Sequence, residues 1–164
     1  MPHFSLADAQ TESSDGSGNP CGPYRALLLS DTGGLTQFGA FIEILPPGSA
    51  SSIKHWHAQE DEMIFMLEGE VHLHEGDTIS TLRPGDTATF KAGTALGHCL
   101  QNHSSAEARY LVIGTRGPAD VVTYPDHDRI LHFTRHPVSR RWTTAEGLPA
   151  VSPYQLPGGP QGQL

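Results

Sequence analysis

Apolar and polar positions alternate in short runs along this chain instead of recurring at helical spacing. Residues 38–45 place Phe38, Ala40, Ile42 and Ile44 on one face at a period of two. Comparable runs occupy 24–29, 52–56, 62–67, 71–74, 78–82, 87–90, 98–101 and 108–114. Turn formers separate them: Asp31-Thr32-Gly33-Gly34, Pro46-Pro47-Gly48, Glu68-Gly69-Glu70, Glu75-Gly76-Asp77, Arg83-Pro84-Gly85-Asp86 and Lys91-Ala92-Gly93. Short strands broken by turns every ~8–12 residues predict an all-β sandwich or barrel. The first 23 residues are polar and rich in Ser, Gly and Asp, which predicts a flexible arm. After residue 117 the pattern weakens: 124–128 reads as a loop, 129–133 as one more strand, and 156–164 as a Pro/Gly/Gln tail.

Composition agrees. The 18 glycines and 13 prolines are too many for a helical bundle and fall where turns are needed. A length of 164 residues suits one domain, read here as a 35–116 barrel core with a 1–34 N-terminal arm and a 117–164 C-terminal extension. A formal charge of −8 speaks against nucleic acid as a partner, because phosphate contacts need cations. No apolar run reaches the ~18 residues that would span a bilayer, so no membrane partner is expected. Cys21 and Cys99 form no CxxC pair, and Met1-Pro2-His3-Phe4 carries no secretory signal. The expected compartment is a reducing cytoplasm.

Ten histidines make metal binding worth testing, and spacing decides which of them matter. In the run His55-Trp56-His57-Ala58-Gln59-Glu60-Asp61-Glu62, positions i and i+2 of a strand share a face, so His55 and His57 present two imidazoles together while Trp56 points away. Glu62 opens the next strand after a four-residue turn and can return a carboxylate to the same point. His98 starts another strand downstream. Three imidazoles and one carboxylate suit a divalent transition metal such as Fe, Mn, Ni, Co, Cu or Zn. Protons should compete with the metal below roughly pH 6.5, the unperturbed histidine pKa.

Order and glycine spacing add a family likeness. Gly48, six residues, His55-x-His57, four residues, Glu62, six residues and Gly69 resemble the first motif of the cupin superfamily. Gly85, seven residues, Gly93, then His98, three residues and Asn102 resemble its second. The match departs by one extra residue before His55, by Lys91 where the family usually has proline, and by a Gly93–His98 loop two residues longer. The run His55 to Glu62, with Leu67-Glu68-Gly69-Glu70, Gly114-Thr115-Arg116 and Tyr124-Pro125-Asp126, also looks like a group of small bacterial cupins without a settled activity. The likeness implies a single jelly-roll barrel (double-stranded β-helix) holding one metal through His55, His57, Glu62 and His98. It also implies a small-molecule ligand or substrate and a homodimer, formed by pairing barrel faces or exchanging N-terminal strands. The 24–29 strand would suit such an exchange, or would pair within its own chain.

Position separates the rival residues. His72-x-His74 lacks a spaced carboxylate and reads as solvent-facing; His103 reads as exposed. Glu60 and Asp61 fall in the turn, which favours Glu62 as the ligand. Cys99 alternates with His98 and should face away from the metal as a small buried hydrophobe. Leu100 and Asn102 share the parity of His98, Ile64 and Met66 that of Glu62, and Ile53 that of His55, so they are expected on the pocket side or in ordinary core. No Arg or Lys falls on the metal side by parity; Arg25, Arg109 and Arg116 stay unplaced. Asp126-His127-Asp128 reads as a solvated loop, and Arg140-Arg141-Trp142 as part of a tail docked on the barrel wall. Two functions stay open: a metal-dependent small-molecule enzyme of dioxygenase, isomerase or lyase type, and a non-catalytic binding or sensing cupin.

Overall fold

The computed structural model describes residues 3–154. Among these residues thirteen strands run in chain order: β1 (Gln10–Ser14), β2 (Tyr24–Leu28), β3 (Phe38–Leu45), β4 (Trp56–His57), β5 (Glu62–Glu68), β6 (Val71–Glu75), β7 (Thr78–Leu82), β8 (Thr87–Phe90), β9 (His98–Gln101), β10 (Ala108–Thr115), β11 (Ala119–Tyr124), β12 (Arg129–Arg135) and β13 (Val138–Thr143). The single α-helix among them, α1 (Leu29–Thr32), is four residues long. The fold is all-β, as the turn pattern predicts. No helix among the described residues is long and apolar enough to cross a membrane.

The strands form three antiparallel sheets, ordered β1-β2-β3-β10-β5-β8, β7-β6-β9 and β13-β12-β11-β4. The main core lies between the first two. Leu45, Ile64, Met66, Tyr110 and Val112 from the six-stranded sheet meet Val71, Leu73, Leu82 and Leu100. A second cluster, Cys21, Ile53, Val122 and Tyr124 with Trp142 and Tyr154 against it, ties the C-terminal sheet to the barrel wall.

Gly69 shows why the glycine spacing is informative. Its φ is +72°, and a Cβ there would sit 2.6 Å from the carbonyl oxygen of Glu107. Only glycine can turn the chain between β5 and β6 at that approach. Asn102 closes the other end of the motif. It is fully buried, donates from Nδ2 to the carbonyls of Leu45 and Ala106 at 2.8 Å each, and accepts from the Ser104 N–H and hydroxyl. It pins the β9–β10 connection to the end of β3 and lies away from the cavity.

Several expectations change at the chain ends. The N-terminal arm is not featureless: Leu6–Asp8 form a 3-10 turn and β1 pairs with β2 in register from Gln10↔Leu28 to Ser14↔Tyr24. Strand β2 pairs within its own chain, with β1 and β3. The C-terminal extension carries β11, β12 and β13 where one strand was expected. Its loop is a 3-10 turn, Pro125–His127, with Asp126 paired to Lys54 at 3.2 Å and Asp128 accepting the Ala145 N–H. Those groups are spent on structure and build no metal cluster among the described residues. Trp142 docks against Tyr124 with ring centroids 5.4 Å apart, while Arg140 and Arg141 stay exposed. The 156–164 tail lies outside the described residues.

Candidate metal centre

The site grows from a backbone pairing. His55 and His98 exchange both N–H···O bonds, at 3.1 and 2.8 Å, so their side chains leave adjacent strands side by side. The rings of His55 and His98 lie 5.0 Å apart, as do those of His55 and His57. Ligand atoms of His55, Glu62 and His98 all lie within 4.8 Å of one another. His57 Nε2 is 4.0 Å from Glu62 Oε2. His55, Glu62 and His98 therefore converge on one point, and His57 stands beside Glu62 and groups instead with Glu60 and Asp120.

His55 and His57 are each held through Nδ1, and His98 by stacking. His55 Nδ1 lies 2.9 Å from the Ile53 carbonyl; a carbonyl can only accept, so Nδ1 carries the proton and Nε2 has a bare lone pair. His57 Nδ1 donates to Asp120 at 2.6 Å and leaves Nε2 toward Glu62. His98 lies flat on Phe90, with centroids 3.6 Å apart and planes 4° from parallel, and its Nε2 is buried without a hydrogen-bond partner. A buried polar atom without a partner is costly, and the His98 nitrogen, beside the unprotonated His55 Nε2 and the Glu62 carboxylate, is what a cation would satisfy. The donor set fits a divalent transition ion.

Electrostatics prepare the set. Burial and the neighbouring His57 hold the His55 pKa down at about 4. Burial, with His55 and His57, takes that of His98 to about 3. Both are neutral ligands at any mildly acidic pH. Burial also lowers the His57 pKa, but the Asp120 hydrogen bond and the charges of Glu62 and Asp120 outweigh it and leave it raised. Burial raises that of Glu62, with His57 opposing. These shifts refine the expectation that protons compete with the metal below roughly pH 6.5. Between about pH 5 and 6.5, with His55 and His98 neutral, the raised pKa values of His57 and Glu62 make these the groups whose protons compete with a metal. The logarithm of metal affinity should fall by between about one and two per pH unit in that window. A slope approaching three in a competition titration would show that the burial effect is wrong.

Sequence reasoning missed several supports. Asp120 is fully buried and accepts from His57, from the Gln59 N–H at 2.8 Å and from the Val121 N–H at 2.7 Å. Those bonds hold its own pKa down against burial. Tyr124 stacks on His55 at 5.6 Å. Both come from β11, whose buried alternation Asp120, Val122, Tyr124 between Gly117-Pro118 and Pro125 was the available signal. Asp120→Asn should cost about 10–100-fold in metal affinity with the fold intact. The amide oxygen would keep the Gln59 and Val121 bonds and turn Nδ2 to His57, forcing the proton onto Nε2 where the metal belongs. Unchanged affinity in a fluorescent-indicator competition would contradict this.

The rival carboxylates are occupied. Glu60 is buried, bonds Arg135 and accepts the Gly117 N–H at 2.7 Å. With His57 and Asp120 it forms a second possible group, but protein donors already satisfy Glu60 and Asp120. Asp61 is exposed and accepts the Ala92 N–H. Cys99 is buried, in the strand that carries His98, and Cys21 and Cys99 are both free thiols. Ile64 and Leu100 line the cavity, whereas Ile53 packs in the second core cluster. His72, His74 and His103 gather elsewhere, with His72 and His103 rings 5.1 Å apart.

A cavity of about 530 Å³ opens on the metal-side residues His55, Glu62 and His98. It has the size of a small-molecule pocket. Phe41, Ile64 and Val112 form apolar wall. Parity placed no cation here, yet Arg116 and Arg135 line the cavity. Both are paired, Arg116 to Asp31 at 2.8 and 3.2 Å and Arg135 to Glu60. Arg109 pairs with Glu68 at 3.6 Å instead.

The family model described as a cupin domain matches residues 41–114. A solved structure from Silicibacter pomeroyi, named a sugar phosphate isomerase from a cupin superfamily, is 30% identical. The match covers 94% of this chain and 99% of that one, with a TM-score of 0.81. This chain belongs to the cupin superfamily. A structure from Acidithiobacillus ferrooxidans, also named for a sugar phosphate isomerase, matches this cupin at 24% identity over 90% of it and 92% of its own chain, with a TM-score of 0.79. A polyketide cyclase from Streptomyces resistomycificus matches at 22% over 71% and 80%, with a TM-score of 0.56. Those two show the shared fold alone. No curated protein matches the cupin's sequence.

Proposed function

We propose that this cupin is a metal-dependent enzyme that isomerises a small polyhydroxylated carbonyl compound. In this proposal His55, His57, Glu62 and His98 hold one divalent transition metal. The observation that carries it is the buried, partnerless His98 Nε2, grouped with His55 and the Glu62 carboxylate at a small-molecule cavity. The isomerase reaction is supported by the name of the 30%-identical Silicibacter protein, which this chain matches over nearly its whole length. A bound metal would supply Lewis acidity at a substrate carbonyl or hydroxyl. The chain does the rest. The Ile53 carbonyl and Asp120 fix the His55 and His57 rings, Phe90 fixes His98, and the apolar wall excludes water and orients the carbon chain. Arg116 and Arg135 are already paired, so a phosphorylated substrate would have to take Arg116 from Asp31 at the exposed mouth.

The test is turnover of three- to six-carbon aldoses and ketoses, with and without phosphate, followed by proton NMR before and after chelator. A chelator-sensitive aldose–ketose interconversion is expected. No reaction across the panel would remove the isomerase and favour a sensing cupin. The proposed assembly is a homodimer through the outer face of the six-stranded sheet, where Phe38, Phe65 and Leu67 are each 38% exposed. Sedimentation should give the mass of two chains; one chain at micromolar concentration would remove the dimer. A cytoplasmic setting stays part of the proposal on its two free cysteines.

A further inference from the structure

Strand β3 carries a carboxyl inside the barrel that the metal set does not use. Glu43 is 7% exposed and lines the cavity that also holds His55, Glu62 and His98. Its Oε2 accepts the Tyr110 hydroxyl at 2.7 Å, and Tyr110 is fully buried. Its Oε1 makes no hydrogen bond among the described residues. No Lys or Arg pairs with it there, and the residues outside them contain neither. Burying a carboxyl with no cation is expensive, and an apolar residue would pack at lower cost. A structural role would be met by the single bond to Tyr110; the second oxygen, left open toward the cavity, is what a proton-transfer group requires.

We propose that Glu43 is the proton-transfer residue of this cavity and Tyr110 the residue that positions it. The assignment rests on the isomerase reading above and names the group that moves the proton. As a carboxylate, Glu43 takes the proton from C2 of a 2-hydroxyaldehyde. The C2–H electron pair becomes the C1=C2 bond of an enediol, and the carbonyl pair moves to O1. O1 gains the proton that O2 gives up as C2=O2 forms, and Glu43 returns its own proton to C1. Every atom is conserved and no redox partner is needed. Burial pushes the Glu43 pKa up to about 7, with Glu62 and Glu12 adding to the rise and Tyr110 opposing it. Tyr24, which bonds Glu12, and Cys21 are the other titratable groups that feel its charge. The Tyr110 hydroxyl, held well above its ordinary value by burial, stays a donor throughout.

Two measurements on the full metal-loaded chain test the proposal. The first needs no substrate. Glycidol, a neutral epoxide the size of a small sugar, is opened by an accessible carboxylate: the carboxyl oxygen bonds to the epoxide CH2, that C–O bond breaks, and the alkoxide takes a proton from water. Peptide mass mapping should find the ester on Glu43, and Tyr110→Phe should shift the pH midpoint of labelling. Labels confined to surface carboxylates would overturn the proposal. The second uses any sugar the wild type isomerises, in D2O. Glu43→Gln keeps an acceptor for Tyr110 but cannot take a proton. It should lose about 100-fold or more in rate, together with deuterium uptake at carbon, at unchanged metal content. Isomerisation at the wild-type rate in Glu43→Gln would overturn the Glu43 assignment and leave the isomerase standing. Glycidol on Glu43 in a protein inactive on the whole panel would support the assignment while removing the isomerase.

Discussion

His98→Ala should bind metal more weakly than the wild type by well over the ~10–100-fold that loss of an outer hydrogen-bond partner costs. His98 brings the one ring nitrogen of the set that is buried with no hydrogen bond, and it is locked in place from two sides. Phe90 covers one ring face at 3.6 Å, and the backbone exchange with His55 fixes the strand beneath it. Nothing nearby can substitute: Phe90 has no donor atom, and Asn102 is tied to Leu45 and Ala106. The fold should survive, because the two backbone bonds to His55 do not depend on the side chain. Calorimetric titration of the apoprotein with Mn²⁺ or Zn²⁺ measures the loss. Affinity within threefold of the wild type would remove His98 from the site.

Glu62→Gln should harm turnover more than metal content. Three imidazoles would still hold the ion, but the substitution removes the negative charge nearest to it, leaving the site one unit more positive. Glu62 is part-buried, between His57 at 4.0 Å and the cavity. Charge removed from such a place is only partly screened by solvent. Ligand charge sets Lewis acidity, so a rate loss of about 100-fold at matched metal occupancy is expected. Equal rates at equal occupancy would take Glu62 out of the mechanism. A pure binding cupin would have no rate to lose and would change only modestly in ligand affinity.

Much of this was legible in the chain because β-turns and metal ligands leave local marks. Gly48, Gly69, Gly85 and Gly93 all take positive φ, so the spacing that suggested the family reports real backbone constraints. His55 and His57 announce themselves by period two, and Glu62 by following a four-residue turn. Contacts made across sheets left weaker marks. Asp120 is 63 residues from His57 in sequence, and one aspartate in an apolar strand reads as an irregularity until its partner is known. Glu43 was hidden by the alternation itself. In 38–45 the even positions look like the buried face, so Glu43 looks solvent-bound, yet both faces of β3 are covered and the odd one lines the cavity. Arg135 sits in an extension whose β12 was expected to end before it, so its pair with Glu60 could not be anticipated.

The central claim is one metal per chain, held by His55, His57, Glu62 and His98. Elemental analysis of the purified wild type beside His55→Ala tests it most directly. Close to one divalent transition ion per wild-type chain and a sharp loss in the variant are expected. Undiminished occupancy in His55→Ala would contradict it.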